Sequence, residues 1–301
     1  MLGYLGPAGT FTHQALLSLT DEEAKPYPSV ISALAAVASG ELDAALVPIE
    51  NSVEGGVSAT IDLLASNGAL VIVTEVLLPV QFELLVRPGT RLEDVRAVLT
   101  HSHAAAQCRQ WLADNVPQAI VTEGGSTAGA AQEVSDPGSR YDAAVSAKVA
   151  GHLYGLESVA SEIADNASAV TRFVLVAPAG SVPERTGTDK TTLAAYMRED
   201  HPGALLEILE QFAVRGVNLC RIESRPTRTA LGSYYFSIDA EGHIRDARLA
   251  EALMGLHRVC KEVVFLGSYR RADGLPPTVP PGSSDDDFVS SARWLAMLRG
   301  R

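Results

Sequence analysis

Short apolar runs and longer amphipathic stretches alternate along the first 180 residues, and the alternation changes character beyond that point. Residues 2–5, 43–47, 95–99, 119–121 and 142–145 read as short, mostly apolar strands. Stretches with apolar residues at i, i+3 and i+4 predict helices over 11–19, 29–38, 57–64, 104–112, 126–133 and 146–152. Between them, residues 70–76 and 80–86 read as further strands, punctuated by Pro79 and Pro88, and 174–177 as a closing strand. Strands and helices alternating at this length specify mostly parallel sheets covered on both faces, an α/β class.

From Lys190 the order becomes strand 191–197, helix 202–215, strand 217–224, strand 232–238, helix 245–256 and strand 259–266. This β-α-β-β-α-β succession is the ferredoxin-like plan. Its second strand is half polar, with Arg221, Glu223 and Arg225 on it and Asn218 near its start, as suits an exposed or interfacial position. Residues 276–287 are rich in Pro, Ser and Asp and predict a flexible tail, followed by a short amphipathic helix over 288–298 that would dock on a neighbour.

Composition narrows the possibilities. The 301 residues are 47% hydrophobic and 20% charged, enough chain for two domains with a buried core. No apolar run approaches the ~18 residues of a membrane span. The N-terminus shows neither a basic region nor a cleavable apolar core, so a cytoplasmic protein is expected. Cys108, Cys220 and Cys260 are too widely spaced for a disulfide framework or a zinc pattern. The formal charge of −12 argues against nucleic acid as a partner. Residues 1–182 hold 8 basic and 20 acidic residues and the remainder 16 of each, which supports a boundary around 177–188.

Candidate chemistry gathers at predicted strand ends. The densest segment is Pro48-Ile49-Glu50-Asn51-Ser52-Val53-Glu54-Gly55-Gly56, with two carboxylates, a carboxamide, a hydroxyl and a glycine pair between a strand and a helix. It reads either as a helix cap made by Asn51 or Ser52 or as a functional loop whose glycines let backbone approach a ligand. The turn Gly6-Pro7-Ala8-Gly9-Thr10-Phe11 has neither dinucleotide nor phosphate-loop spacing, but its N–H groups suit a carboxylate as well as a phosphate. Thr100-His101 and Ser126-Thr127 lie at further strand ends, and together these mark a cleft. Arg172, an isolated base beside Thr171, reads equally as a carboxylate clamp or as a surface arginine paired with Asp165. His101 and His103 lack a third ligand at a diagnostic spacing, and Cys108 sits among alanines, so neither a metal nor a cysteine nucleophile is expected.

Five segments in this order resemble prephenate dehydratases over about residues 1–270. They are Gly6-Pro7-Ala8-Gly9-Thr10-Phe11, residues 48–55, Thr171-Arg172-Phe173, Gly203-Ala204-Leu205 with Leu209, and Glu223-Ser224-Arg225-Pro226. The resemblance implies a catalytic domain over 1–182 of periplasmic-binding-protein type, with one lobe from about 1–76 and 155–182 and the other from 77–154. It implies an ACT regulatory domain over 189–270, a tail over 271–301, and the monofunctional form of the enzyme, since no chorismate mutase segment precedes Met1. Thr171, Arg172, Asn51, Ser52 and Glu54 fall on catalytic positions. Gly9, Thr10, Phe11, His101 and Phe173 fall on substrate-binding positions, and His103 stands where the family has glutamine. The family's asparagine shortly before the threonine is offset here, at Asn166.

Gly203, Ala204, Leu205, Asn218, Leu219, Glu223, Ser224, Arg225 and Pro226 fall on an effector site for L-phenylalanine, shared between subunits of a homodimer or homotetramer. The implied substrate is prephenate, a dianionic cyclohexadienol. Its aromatisation drives the reaction, so no metal and no other cofactor is expected. Thr171 would pass a proton from Glu54, Glu50 or His101 to the departing hydroxyl. Arogenate dehydratase and a non-catalytic amino-acid sensor are the alternatives.

Overall fold

A computed structural model of the chain describes residues 1–66, 68–180, 182–227 and 233–300. By compactness it divides into two units, Met1–Val57 with Val76–Phe173, and Ser58–Glu75 with Val174–Arg301.

The chain opens with β1 (Leu2–Leu5), α1 (Phe11–Leu17), β2 (Ala24–Tyr27), α2 (Val30–Ala38), β3 (Ala44–Asn51) and the two-residue β4 (Gly55–Gly56). Next come α3 (Ser58–Ser66) and β5 (Leu70–Pro79). β2 carries Lys25 and Pro26 exposed, so no apolar run betrays it in the sequence. Helix α2 is held by a capping box between Ser29 and Ser32 and buries Val30, Ala33, Leu34 and Val37, the predicted stripe. β1 pairs in parallel with β2 and β3, and with β11 (Val170–Pro178) the strand order of this sheet is β2-β1-β3-β11-β5, with β4 on β3. Residues 44–47 of β3 are all buried, as a strand covered on both faces requires.

A second sheet comprises β6 (Glu83–Val86), β7 (Ala97–His101), β8 (Ile120–Gly124), β9 (Ala143–Ser146) and β10 (Glu157–Ala160), in the order β10-β6-β9-β7-β8. β7 is parallel to β8 and β9, whereas β6 is antiparallel to β9 and β10. The helix predicted over 104–112 is two pieces, α4 (Ser102–Gln107) and α5 (Arg109–Asn115), broken at Cys108. Asp165 causes the break, because its carboxylate accepts from the N–H groups of Gln110 and Trp111 and starts a new helix there. α6 (Thr127–Ser135) and α7 (Lys148–Tyr154) complete this part. β11 runs from Val170 to Pro178, beginning four residues before the predicted strand.

In the second unit, β12 (Asp189–Tyr196), α8 (Ala204–Ala213), β13 (Leu219–Pro226), β14 (Tyr234–Glu241), α9 (Ala247–Val259) and β15 (Glu262–Arg270) follow the predicted β-α-β-β-α-β order. The antiparallel sheet has the order β13-β14-β12-β15. Leu193, Ile208, Phe212, Ile238, Leu249 and Leu256 form its core. Gly232, the expected start of the third strand, lies outside the described residues. The C-terminal helix α10 (Asp285–Arg299) buries none of its residues. Among the described residues no helix is long and apolar enough to cross a membrane.

Candidate active site

A cavity of about 400 Å³ opens in the first unit. One wall comes from the ends of β1, β3 and β11, which supply Thr10 in the turn after β1, Asn51, Thr171 and Phe173. The other comes from α4 and the turn before α6, which supply His101, His103, Gln107, Ser126 and Thr127. Phe11 and Phe82 meet edge to face at 5.3 Å and, with Val80 and Phe173, make an apolar floor suited to a six-membered ring.

Asn51 and Thr171 fix the polar centre. The Asn51 carboxamide oxygen accepts from the N–H groups of Val53 (2.8 Å) and Glu54 (3.2 Å), so its Nδ2 must face the other way. There it donates to Thr171 Oγ1 at 2.8 Å. The threonine oxygen is therefore an acceptor toward Asn51, and its own proton remains to be donated elsewhere. The loop preceding α3 is thus an Asx turn rather than a helix cap. The glycine pair also differs from expectation: Gly55 (φ 85°) and Gly56 fold back as β4 onto Asn51 and Glu50, and of residues 52–56 only Glu54 lines the cavity.

Glu54 and His103 meet across the cavity mouth, with Oε2 and Nδ1 2.9 Å apart. His101 Nδ1 accepts from the His103 N–H, and the two imidazoles stand edge to face at 4.8 Å. No arginine or lysine lines the cavity among the described residues. Fixed positive potential comes instead from helix starts: α1, α4 and the nine-residue α6 all begin at its rim.

Other expected residues sit differently. β11 alternates, so Thr171 and Phe173 face the cavity while Arg172 points to the opposite face, 5% exposed, with Nη1 3.5 Å from Glu50 Oε2. Arg172 is thus neither at the cavity nor paired with Asp165, which is occupied at α5. Glu50 lies outside the cavity with it. Ser52 fastens its loop to β11, its Oγ accepting from Val170 N–H and its own N–H donating to Val170 O. The Gly9 N–H donates to His13 Nδ1 at 3.1 Å, and Thr10 Oγ1 caps α1 while donating to Leu5 O. Asn166 makes a local turn with Ser168. Cys108 is fully buried, and burial together with the Asp165 charge pushes its thiol up to about 12, which makes it inert. Among the described residues no three His, Cys, Asp or Glu side chains form a metal-binding group.

Gln107 was missed in the sequence reading. It lines the cavity one helical turn beyond His103, and its Oε1 is buried without a hydrogen-bond partner. The i, i+4 spacing from His103 was a legible signal; what hid it was that the helix was read from its apolar stripe alone.

In the second unit, Gly203 (φ 96°), Ala204 and Leu205 begin α8, whereas Asn218 and Leu219 lie beyond its other end. Ser224 and Pro226 are exposed on β13. Glu223 and Arg225 turn to the other face and pair with each other, Nη1 to Oε1 at 3.3 Å.

Fold and cavity together define an α/β protein with a cavity that combines an apolar floor with a polar centre at Asn51 and Thr171. The family model for prephenate dehydratase matches residues 2–181. The prephenate dehydratase of Amycolatopsis methanolica is 44% identical over 301 residues, covering 99% of this chain and 97% of the relative. A prephenate dehydratase from Arthrobacter aurescens, solved in complex with L-Phe, superposes with a TM-score of 0.94 at 49% identity, covering 100% and 99% of the two chains. GqqA, described as a novel type of quorum quenching acylase, follows at 30% identity and a TM-score of 0.81, covering 89% and 97%. The chain belongs to the prephenate dehydratase family.

Proposed function

We propose that this chain converts prephenate to phenylpyruvate, carbon dioxide and water, and that L-phenylalanine regulates it through the β-α-β-β-α-β region acting as an ACT domain. The observation that carries the catalytic reading is the Asn51–Thr171 hydrogen bond in the cavity, which leaves the threonine proton free to donate. The ring carboxylate leaves as carbon dioxide, its electron pair moves through the ring, and the ring hydroxyl departs with one added proton as water. Aromatisation supplies the driving force. The site must hold a dianion against an apolar floor and donate to the leaving oxygen.

Thr171 donates to that oxygen, and its proton is replenished from the solvent-facing His101, His103 and Glu54 group, Glu50 being outside the cavity. The N–H groups at the start of α6 and the Gln107 carboxamide hold the carboxylate and keto oxygens, a role assigned to Arg172 on sequence grounds. The Thr171 hydroxyl bonds to a carboxamide rather than to an imidazole, so the arrangement favours a hydroxyl donor over the base-activated nucleophile of an acylase.

The regulatory reading draws on the L-Phe complex of the Arthrobacter aurescens protein. Gly203 and Asn218 lie at opposite ends of α8, about 15 Å of helix. An effector site using both is completed by a second copy, which supports a homo-oligomer joined through these regions.

The test is conversion of prephenate and of arogenate, followed by the absorbance of the phenylpyruvate enolate or by phenylalanine formation, with and without added phenylalanine. Faster turnover of arogenate would make the chain an arogenate dehydratase, and binding without turnover a sensor.

A further inference from the structure

Residues Ser58–Glu75 lie in sequence between two parts of the first unit yet pack within the second. Helix α3 and most of β5 make up this segment, and it is held at both ends. At one end Lys190 Nζ lies 3.0 and 3.1 Å from the two Glu75 oxygens, and the Ala272 N–H donates to the same carboxylate at 2.9 Å. At the other end Asp62 of α3 receives a two-pronged grip from Arg225, with Nε to Oδ1 at 3.1 Å and Nη2 to Oδ2 at 3.0 Å. The Tyr235 hydroxyl donates to Asp62 Oδ1 at 2.8 Å, and its ring stacks on Tyr196, whose own hydroxyl donates to Ala65 O of α3.

These contacts are sheltered from water: the Arg225 and Asp62 side chains are 15% and 17% exposed. The grip is continuous with the polar face of β13. Arg221 bonds Glu223 and Asp239, Glu223 bonds Arg225, and Arg225 bonds Asp62. In the other direction, Asp62 lies four residues, about 6 Å of helix, from the start of α3. Only β4 and Val57 separate Ser58 from the turn in which Asn51 orients Thr171.

We propose that the Asp62–Arg225 pair is a positioning contact that couples β13 to the catalytic turn, rather than part of the surface that binds an effector. Arg225 is already committed on the face of β13 opposite Ser224, so the strand has one side to meet a ligand and another to report it. A shift of β13 carries α3 with it because a planar guanidinium on a carboxylate resists both sliding and rotation. Displacing the start of α3 moves residues 51–57 through the chain itself. The proposal rests on the phenylalanine reading above and adds the route by which it acts.

The experiment measures L-phenylalanine binding by calorimetry and inhibition of prephenate turnover, in wild type, Asp62→Asn and Arg225→Lys. In Asp62→Asn, binding stays within about threefold while the inhibition midpoint rises by about tenfold or more, so the two constants separate. Arg225→Lys, which keeps the charge and loses the fork, separates them in the same direction. Tyr235→Phe, which removes only the hydroxyl, carries the same test with a smaller separation if Asp62→Asn does not fold. Binding and inhibition weakening in parallel would show that these residues contact the effector and would overturn the proposal. Unchanged inhibition in the variants would overturn it too. A wild-type enzyme that neither binds nor responds to phenylalanine would overturn the effector reading, and this proposal with it, and is distinguished by the wild-type measurement alone.

Discussion

At the scale of single residues, the proposed chemistry rests on the orientation of one hydroxyl. Because Asn51 is turned by two backbone N–H groups, Thr171 accepts from its carboxamide and keeps its own proton to donate. Thr171→Val is therefore expected to lower kcat by about 10²–10³-fold with little change in KM, whereas Thr171→Ser stays within about tenfold of wild type. Steady-state kinetics decide it, and a fully active valine variant would remove the hydroxyl from the mechanism. His13 makes a different prediction. It accepts the Gly9 N–H and stacks on Tyr4 at 4.8 Å, and burial holds its pKa below the ordinary 6.5. The unfolded chain takes up that proton first, so the stability His13 contributes is complete above about pH 6.5 and is lost as the pH falls through the lower folded value. Thermal melts between about pH 7 and pH 5 are expected to flatten in His13→Gln.

At the scale of elements, strand alternation separates neighbours that a motif joins. Thr171, Arg172 and Phe173 are consecutive in the family signature, yet β11 sends the first and third into the cavity and the second to the far face. Arg172→Met is expected to cost about 1.5–3 kcal/mol of stability through its lost ionic hydrogen bonds, while Thr171→Val melts close to wild type. Denaturant melts of the two variants separate the roles. The sequence marked this tripeptide as a candidate but could not divide it between two faces, because the strand was expected to begin only at residue 174. A similar limit applies to Gly267 on β15. Its φ of 131° and the 2.2 Å that would separate an added Cβ from Ile72 O reflect a close approach that nothing in the sequence announces. Gly267→Ala is expected to destabilise by about 2–4 kcal/mol, read in a urea melt.

At the scale of the whole molecule, compactness and chain order disagree: residues Ser58–Glu75 pack in the second unit although they connect two parts of the first. The C-terminal helix shows the converse, an element with strong local signals and little packing. Ser284 and Asp287 form a capping box, yet Trp294, Met297 and Leu298 remain exposed. Ending the chain after Asp287 keeps the Arg185–Asp285 pair and is expected to shift Tm by less than about 2 °C. A larger fall would show that the contacts of that helix with α9 carry stability.

The sequence by itself determined the α/β class, the β-α-β-β-α-β succession and most strand and helix centres, because hydrophobic periodicity is a local property. It also marked the polar strand ends from which the cavity is built. Only the tertiary structure decided that Arg172 faces away, that Asp165 restarts a helix and that Arg225 grips Asp62. Each of those depends on the direction of a side chain relative to a partner more than 50 residues away, or on the phase of a strand, and neither is written in local pattern.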